Sequence, residues 1–117
     1  MSVEKFLING ATLEIELADN FFKRLRGLMM RRRLEEGRGL LLAPCNGVHM
    51  LFMRFAIDVV YLDKELRIKK IVRNLWPWLG LSFCLGAWGA LELPSGEVER
   101  LKLVVGQKFE KENPAHR

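Results

Sequence analysis

Turn-forming residues cut this chain into short runs, and that spacing limits the fold more than any other feature of the sequence. Asn9-Gly10, Asn46-Gly47, Asp63-Lys64-Glu65, Pro94-Ser95-Gly96 and Gly106 separate intervals sized for strands. Asn-Gly between extended runs is a strong hairpin signal because both residues tolerate positive φ. Residues 5–8 and 12–17 flank the first such pair. In the second arm Leu13, Ile15 and Leu17 alternate with Thr12, Glu14 and Glu16. That period of two marks a half-buried strand.

One stretch carries a helical period instead. Phe21, Leu25, Leu28 and Met29 share a face, and Asp19 stands ahead of them as an N-cap. A helix is expected over residues 20–30, with Gly27 inside it marking a close backbone approach. Leu40, Leu41 and Leu42 form a short buried strand before Pro44. Residues 48–54, 57–62, 66–72 and 90–93 read as further extended runs. A turn of helix is expected over 95–100, then a closing hairpin of 102–105 with 107–110 about Gly106. The expectation is a mainly β domain, a β-rich α+β fold with one main helix packed on a compact sandwich or distorted, jelly-roll-like barrel. One domain spans residues 1–110, and 111–117 is a frayed tail.

At 117 residues, half of them apolar, the chain can bury a real core. Two cysteines make no disulfide framework. No apolar h-region follows Glu4 and Lys5, so the protein is read as cytoplasmic with both thiols reduced. Residues 74–91 carry no charge, but Pro77, Gly80, Gly86 and Gly89 interrupt them. We therefore expect no transmembrane segment there, but a loop and a strand, partly buried. Part of the loop around Trp76, Trp78 and Leu79 is expected to be exposed. It would serve self-association or an unknown protein partner.

Four ordered blocks carry a resemblance. They are Arg26-Gly27-Leu28-Met29-x-Arg31, Val48-His49-Met50-x-Phe52-Met53-Arg54-Phe55, Ile57-Asp58-Val59-Val60-Tyr61-Leu62-Asp63 and Leu91-Glu92-Leu93-Pro94-Ser95-Gly96. Together with the turn at Gly106 they resemble the domain of unknown function 192 family over about residues 11–109. The resemblance implies a sandwich or barrel-like, jelly-roll fold with the RGLM helix packed on it, and an uncharacterised activity. Many relatives carry a secretory or lipoprotein signal. The chain departs from the pattern at Phe55-Ala56, where relatives often place a polar residue and Pro. It is also more apolar from Trp76 to Trp88.

Few residues offer chemistry. Cys45 and His49, with Asp58, have the types of a nucleophile, a base and its orienting acid. The Asn46-Gly47 turn breaks their common face, and no hydrolase signature surrounds them. Cys45, His49, Cys84 and His116 are the only soft metal ligands, and their spacing fits no zinc pattern. No metal, cofactor or catalytic residue is assigned. Asp58 and Glu92 interrupt apolar strands. Arg26 is expected to pair with Asp58 and tie helix to sheet. His49, Arg54, Asp58 and Glu92 are the candidate lining of a pocket.

Residues 20–39 hold seven cations and two anions, and therefore the whole net charge of +5. Lys23, Arg24, Arg31, Arg32 and Arg33 form a basic patch suited to phosphates. The helix macrodipole explains arginines at that end without a partner. No aromatic residues are interleaved for base stacking, so nucleic acid is disfavoured. The chain is read as a non-enzymatic binding or accessory module. The alternatives are a small-molecule-binding protein or enzyme using the pocket, and a weak, non-specific nucleic-acid binder.

Overall fold

The computed structural model of the chain describes residues 2–18, 20, 28–29 and 31–112. Its first two strands, β1 (Val3–Ile8) and β2 (Ala11–Ala18), pair antiparallel about Asn9 and Gly10. Both turn residues have positive φ, 49° and 79°. Strand β3 (Arg38–Leu42) then lies parallel to β2, with Leu41 beside Leu17. A parallel neighbour needs a crossover, so the chain must return between residues 19 and 37. The helix expected over 20–30 falls mostly in that stretch and lies outside the described residues, as do Lys23, Arg24 and Arg26.

Five more strands and one short helix complete the described chain before its last pairing. They are β4 (Gly47–His49), β5 (Ile57–Leu62), β6 (Ile68–Leu75), β7 (Leu81–Phe83), β8 (Gly89–Pro94) and α1 (Glu97–Arg100). The last strand, β9 (Glu110–Lys111), pairs with β1. Seven strands form one sheet in the order β6-β5-β8-β3-β2-β1-β9, and β4 and β7 form a separate ribbon. The large sheet curls into a half-barrel, so the fold is mainly β as expected.

Strand side chains alternate between faces, and here both faces are covered. On one, Phe6, Leu13, Ile15, Leu41, Val60 and Leu91 pack with Val98, Leu101, Leu103 and Phe109. The Phe6 and Phe109 rings stand 6.0 Å apart. On the other, Leu40, Leu42, Val59, Tyr61 and Ala90 pack under Leu28, Val48, Met50 and Met53. Strand β5 is buried along its whole length for this reason.

Four expected boundaries differ. Residues 48–54 are not one extended run. After His49 the chain turns, with Phe52 at φ 62° and Met53 N–H donating to Met50 O. The turn lets Met50 and Met53, three residues apart, both reach the interior. Strand β6 starts at Ile68 rather than 66, because the Asp63 carboxylate accepts from Glu65 and Arg67 N–H and prolongs the turn. The closing hairpin is absent: Gly106 N–H donates to Ile68 O, and Phe109 N–H to Leu66 O. That course sends Phe109 into the core. Lys111 is strand rather than frayed tail and also pairs with Glu4.

Candidate functional site

The two strand carboxylates face opposite sides of the sheet. Asp58 sits opposite Leu93, and Val59 opposite Glu92. Asp58, 1 % exposed, points to the face of α1. Its Oδ1 accepts from Asn74 N–H at 2.9 Å, and its Oδ2 from Gly96 and Val98 N–H at 3.1 and 3.0 Å. Gly96, at the helix N-cap, has no side chain to do this. Asp58 therefore caps the helix from a neighbouring strand. The expected partner, Arg26, lies outside the described residues.

Glu92 lies in the opposite core, 4 % exposed, in register with Leu40 and Val59. Its Oε1 is buried and has no hydrogen-bond partner among the described residues. Burial pushes its pKa up to about 8, against the pull of Arg31. One strand pair further, Glu16 lies beside Leu40 and is gripped by Arg31. The Arg31 fork bonds both carboxylate oxygens, at 3.4 and 2.9 Å. That bond holds Glu16 below the usual carboxylate range, over the opposing effect of burial.

The four candidate pocket residues do not converge. His49 and Arg54 are exposed, while Asp58 and Glu92 are buried on different faces. His49 Nδ1 accepts from Leu51 N–H at 3.3 Å, and Cys45 Sγ–H donates to Gly47 O at 3.0 Å. Asp58 is turned away from both. Two clefts lie elsewhere among the described residues. One of about 480 Å³ is bounded by Pro44, Asp63, Glu65 and Trp88. One of about 220 Å³ is bounded by Phe6, Leu17, Leu41, Trp88 and Lys111. Neither involves the four. Cys45 and Cys84 are thiols, and among the described residues no three His, Cys, Asp or Glu gather as metal ligands. His116 lies outside those residues.

The described part of the basic patch is largely engaged. Arg31 is held by Glu16 and Arg33 lies 3.3 Å from Glu35, while Arg32 is exposed. Arg38 pairs with Glu14.

The β4–β7 ribbon presents a different surface. Ser82 turns inward and shares a 2.6 Å hydrogen bond with the buried Tyr61 hydroxyl. Period two then sends Leu81 and Phe83 outward, 66 % and 60 % exposed, beside His49 and Gly47. At the ribbon's end, Trp78 N–H donates to Met50 O at 2.7 Å, and Met50 N–H to Gly80 O at 3.0 Å. These bonds fasten the 76–80 turn beside Leu51 and Phe52. Trp78 meets Phe52 edge-on, 5.2 Å between ring centres. Trp76, Trp78 and Leu79 are all exposed, Leu79 by 82 %. Leu51, Phe52, Leu81, Phe83 and Leu85 join them, beyond the loop expected from the sequence. The signal was present in the uncharged run of residues 74–91 and in Ser82 between two large apolar residues.

The comparisons with known proteins fit this framework. The model of DUF192, described as "Uncharacterized ACR", matches residues 5–111. The chain belongs to the DUF192 family. A UPF0127 protein of Pyrococcus furiosus is 35 % identical over 105 residues, covering 84 % of this chain and 86 % of that protein. Another from Thermococcus sibiricus is 30 % identical over 103 residues, covering 85 % of this chain. The chain spans only 66 % of that relative. A crystal structure from Sinorhizobium meliloti, described as a candidate transcription regulator, superposes with TM-score 0.85 at 26 % identity, covering 94 % of each chain. A Novosphingobium aromaticivorans protein of unknown function gives TM-score 0.81 at 23 % identity, covering 92 % of this chain and 82 % of that one. It shares the DUF192 fold. The function of the family is uncharacterised. Among the described residues no helix is long and apolar enough to cross a membrane.

Proposed function

We propose that this DUF192 domain is a non-enzymatic docking module whose working surface is the apolar face of the β4–β7 ribbon and its 76–80 turn. The observation that carries the reading is the row of large apolar side chains held outward there by backbone hydrogen bonds. Monomeric soluble proteins rarely expose contiguous apolar patches of this kind without using them. The half-buried thiols suit a reducing compartment, and we place the protein in the cytoplasm.

The pocket reading has less support, because its four residues are dispersed. The Oε1 of Glu92, unpartnered among the described residues, is a feature that favours it. The nucleic-acid reading has less support still, since Arg31, Arg33 and Arg38 already have carboxylate partners.

The test compares the parent with a Leu81→Ser, Phe83→Ser double variant. The parent should leave the free monomeric state, by joining a second copy in sedimentation velocity or by adsorbing to a bilayer. The double variant should stay free with an unchanged Tm. A parent that remains a free monomer in both settings contradicts the reading.

A further inference from the structure

We infer that the apolar ribbon face docks on the surface of an anionic lipid bilayer. This rests on the docking reading and names its partner. The argument begins with charge. The ribbon, the turn after His49 and the 76–80 turn fall within residues 47–56 and 76–85, which contain Arg54 and no Asp or Glu, while Asp63 and Glu65 border the cleft beside Gly86. All fourteen carboxylates of the chain lie outside these two stretches. An acid-free apolar patch suits a protein interface as well; the cations that rim it are what favour anionic headgroups.

The cations stand where headgroups would be. Lys70 runs beside the ribbon and donates from Nζ to Phe83 O at 2.8 Å. Lys69 Nζ lies 3.5 Å from the Cβ position at Gly86, next to Leu85, which is 87 % exposed. Arg54 is exposed two residues after Phe52. Long basic side chains can lay their stems along an apolar surface and keep the charge at the interface. The apolar residues also suit that depth. Trp76 and Trp78 offer an apolar ring and an N–H donor, the combination that favours the boundary between headgroups and acyl chains. Leu79, Leu81 and Phe83 would enter the acyl boundary, where peripheral elements bury roughly 5–10 Å. The cytoplasmic leaflet carries anionic lipid and a negative surface potential, which attracts such a rim.

The experiment is co-sedimentation of the whole protein with vesicles of phosphatidylcholine containing phosphatidylglycerol, against vesicles of phosphatidylcholine alone. The parent should partition onto the anionic vesicles much more strongly, and added salt should weaken it. Arg54→Gln with Lys69→Gln should lower partitioning about 25-fold, near fivefold for each charge removed. Leu81→Ser with Phe83→Ser should lower it at least as far while Tm is unchanged. Leu79→Ser with Leu85→Ser is the second apolar variant, should the first not fold. No partitioning onto either vesicle overturns the inference. Equal partitioning onto both, insensitive to Arg54→Gln with Lys69→Gln, overturns it as well. Concentration-dependent self-association that the ribbon variants abolish, without vesicle binding, overturns the bilayer and leaves the docking reading standing.

Discussion

Glu92 is the residue through which pH reaches this fold most directly. Its carboxyl titrates near 4.5 when unfolded and near 8 in the buried strand. Between those values the folded protein holds a proton that the unfolded chain has lost. Folding stability is therefore highest below about pH 4.5 in this respect, and falls as pH rises toward 8. The loss is on the order of a few kcal/mol, at 1.36 kcal/mol for each pKa unit. Glu92→Gln should flatten that slope, and urea unfolding at a series of pH values reads it. Parallel pH profiles for parent and variant would show that Glu92 is not the proton-linked group. Asp58 makes the opposite case, a buried carboxylate satisfied by three N–H groups. Asp58→Ala leaves those donors unpaired, at about 1–3 kcal/mol each where they stay dry. We expect a loss of at least about 3 kcal/mol in urea unfolding, with helix α1 loosened. A change below about 0.5 kcal/mol, the range of an ordinary surface substitution, would contradict the capping role. The sequence showed that both acids were anomalous, because each interrupts an apolar strand. It could not show their faces or partners, since those depend on the register of β5 against β8.

Among the elements, the 76–80 turn has the least room to change. A Cβ at Gly80 would lie 2.7 Å from Trp76 O and 2.8 Å from Met50 Cγ. Backbone cannot yield as a flexible side chain does, so Gly80→Ala must shift the turn. We expect a cost of about 1–3 kcal/mol, typical of overpacking, together with a displaced Trp78. Tm and the near-UV signal of the tryptophans would report it. An unchanged Tm and spectrum would mean that the turn is looser than its hydrogen bonds indicate. Elements with strong local signals were legible in the sequence. The Asn9-Gly10 hairpin, β3, β5, β8 and the helical turn after Pro94 all appear near their expected positions. The failures are tertiary. Met50 and Met53 curl the chain after His49 because both reach the core, and Phe109 is drawn to Phe6 instead of completing a hairpin. The two-stranded ribbon has only a three-residue register, too little for a periodic signal.

For the molecule as a whole, the sheet works as a frame with two covered faces. The C-terminal segment with α1 closes one, and the ribbon lies on the other with its apolar side turned outward. On the docking proposal, this arrangement separates stability from docking. Substitutions on the outer ribbon should alter docking and leave Tm nearly unchanged, whereas substitutions at Asp58 or Gly80 should alter stability first. The net positive charge is visible in the sequence as an arginine run, whereas the cations that rim the ribbon, Arg54, Lys69 and Lys70, come from distant stretches. Only the fold brings those stretches to one face. The measurement that tests this account most directly is tryptophan quenching by brominated phospholipid in anionic vesicles. The account predicts strong quenching in the parent and its loss in the Trp76→Phe, Trp78→Phe variant, which retains half-buried Trp88. Quenching that is absent from the parent, or that persists in the variant, would contradict it.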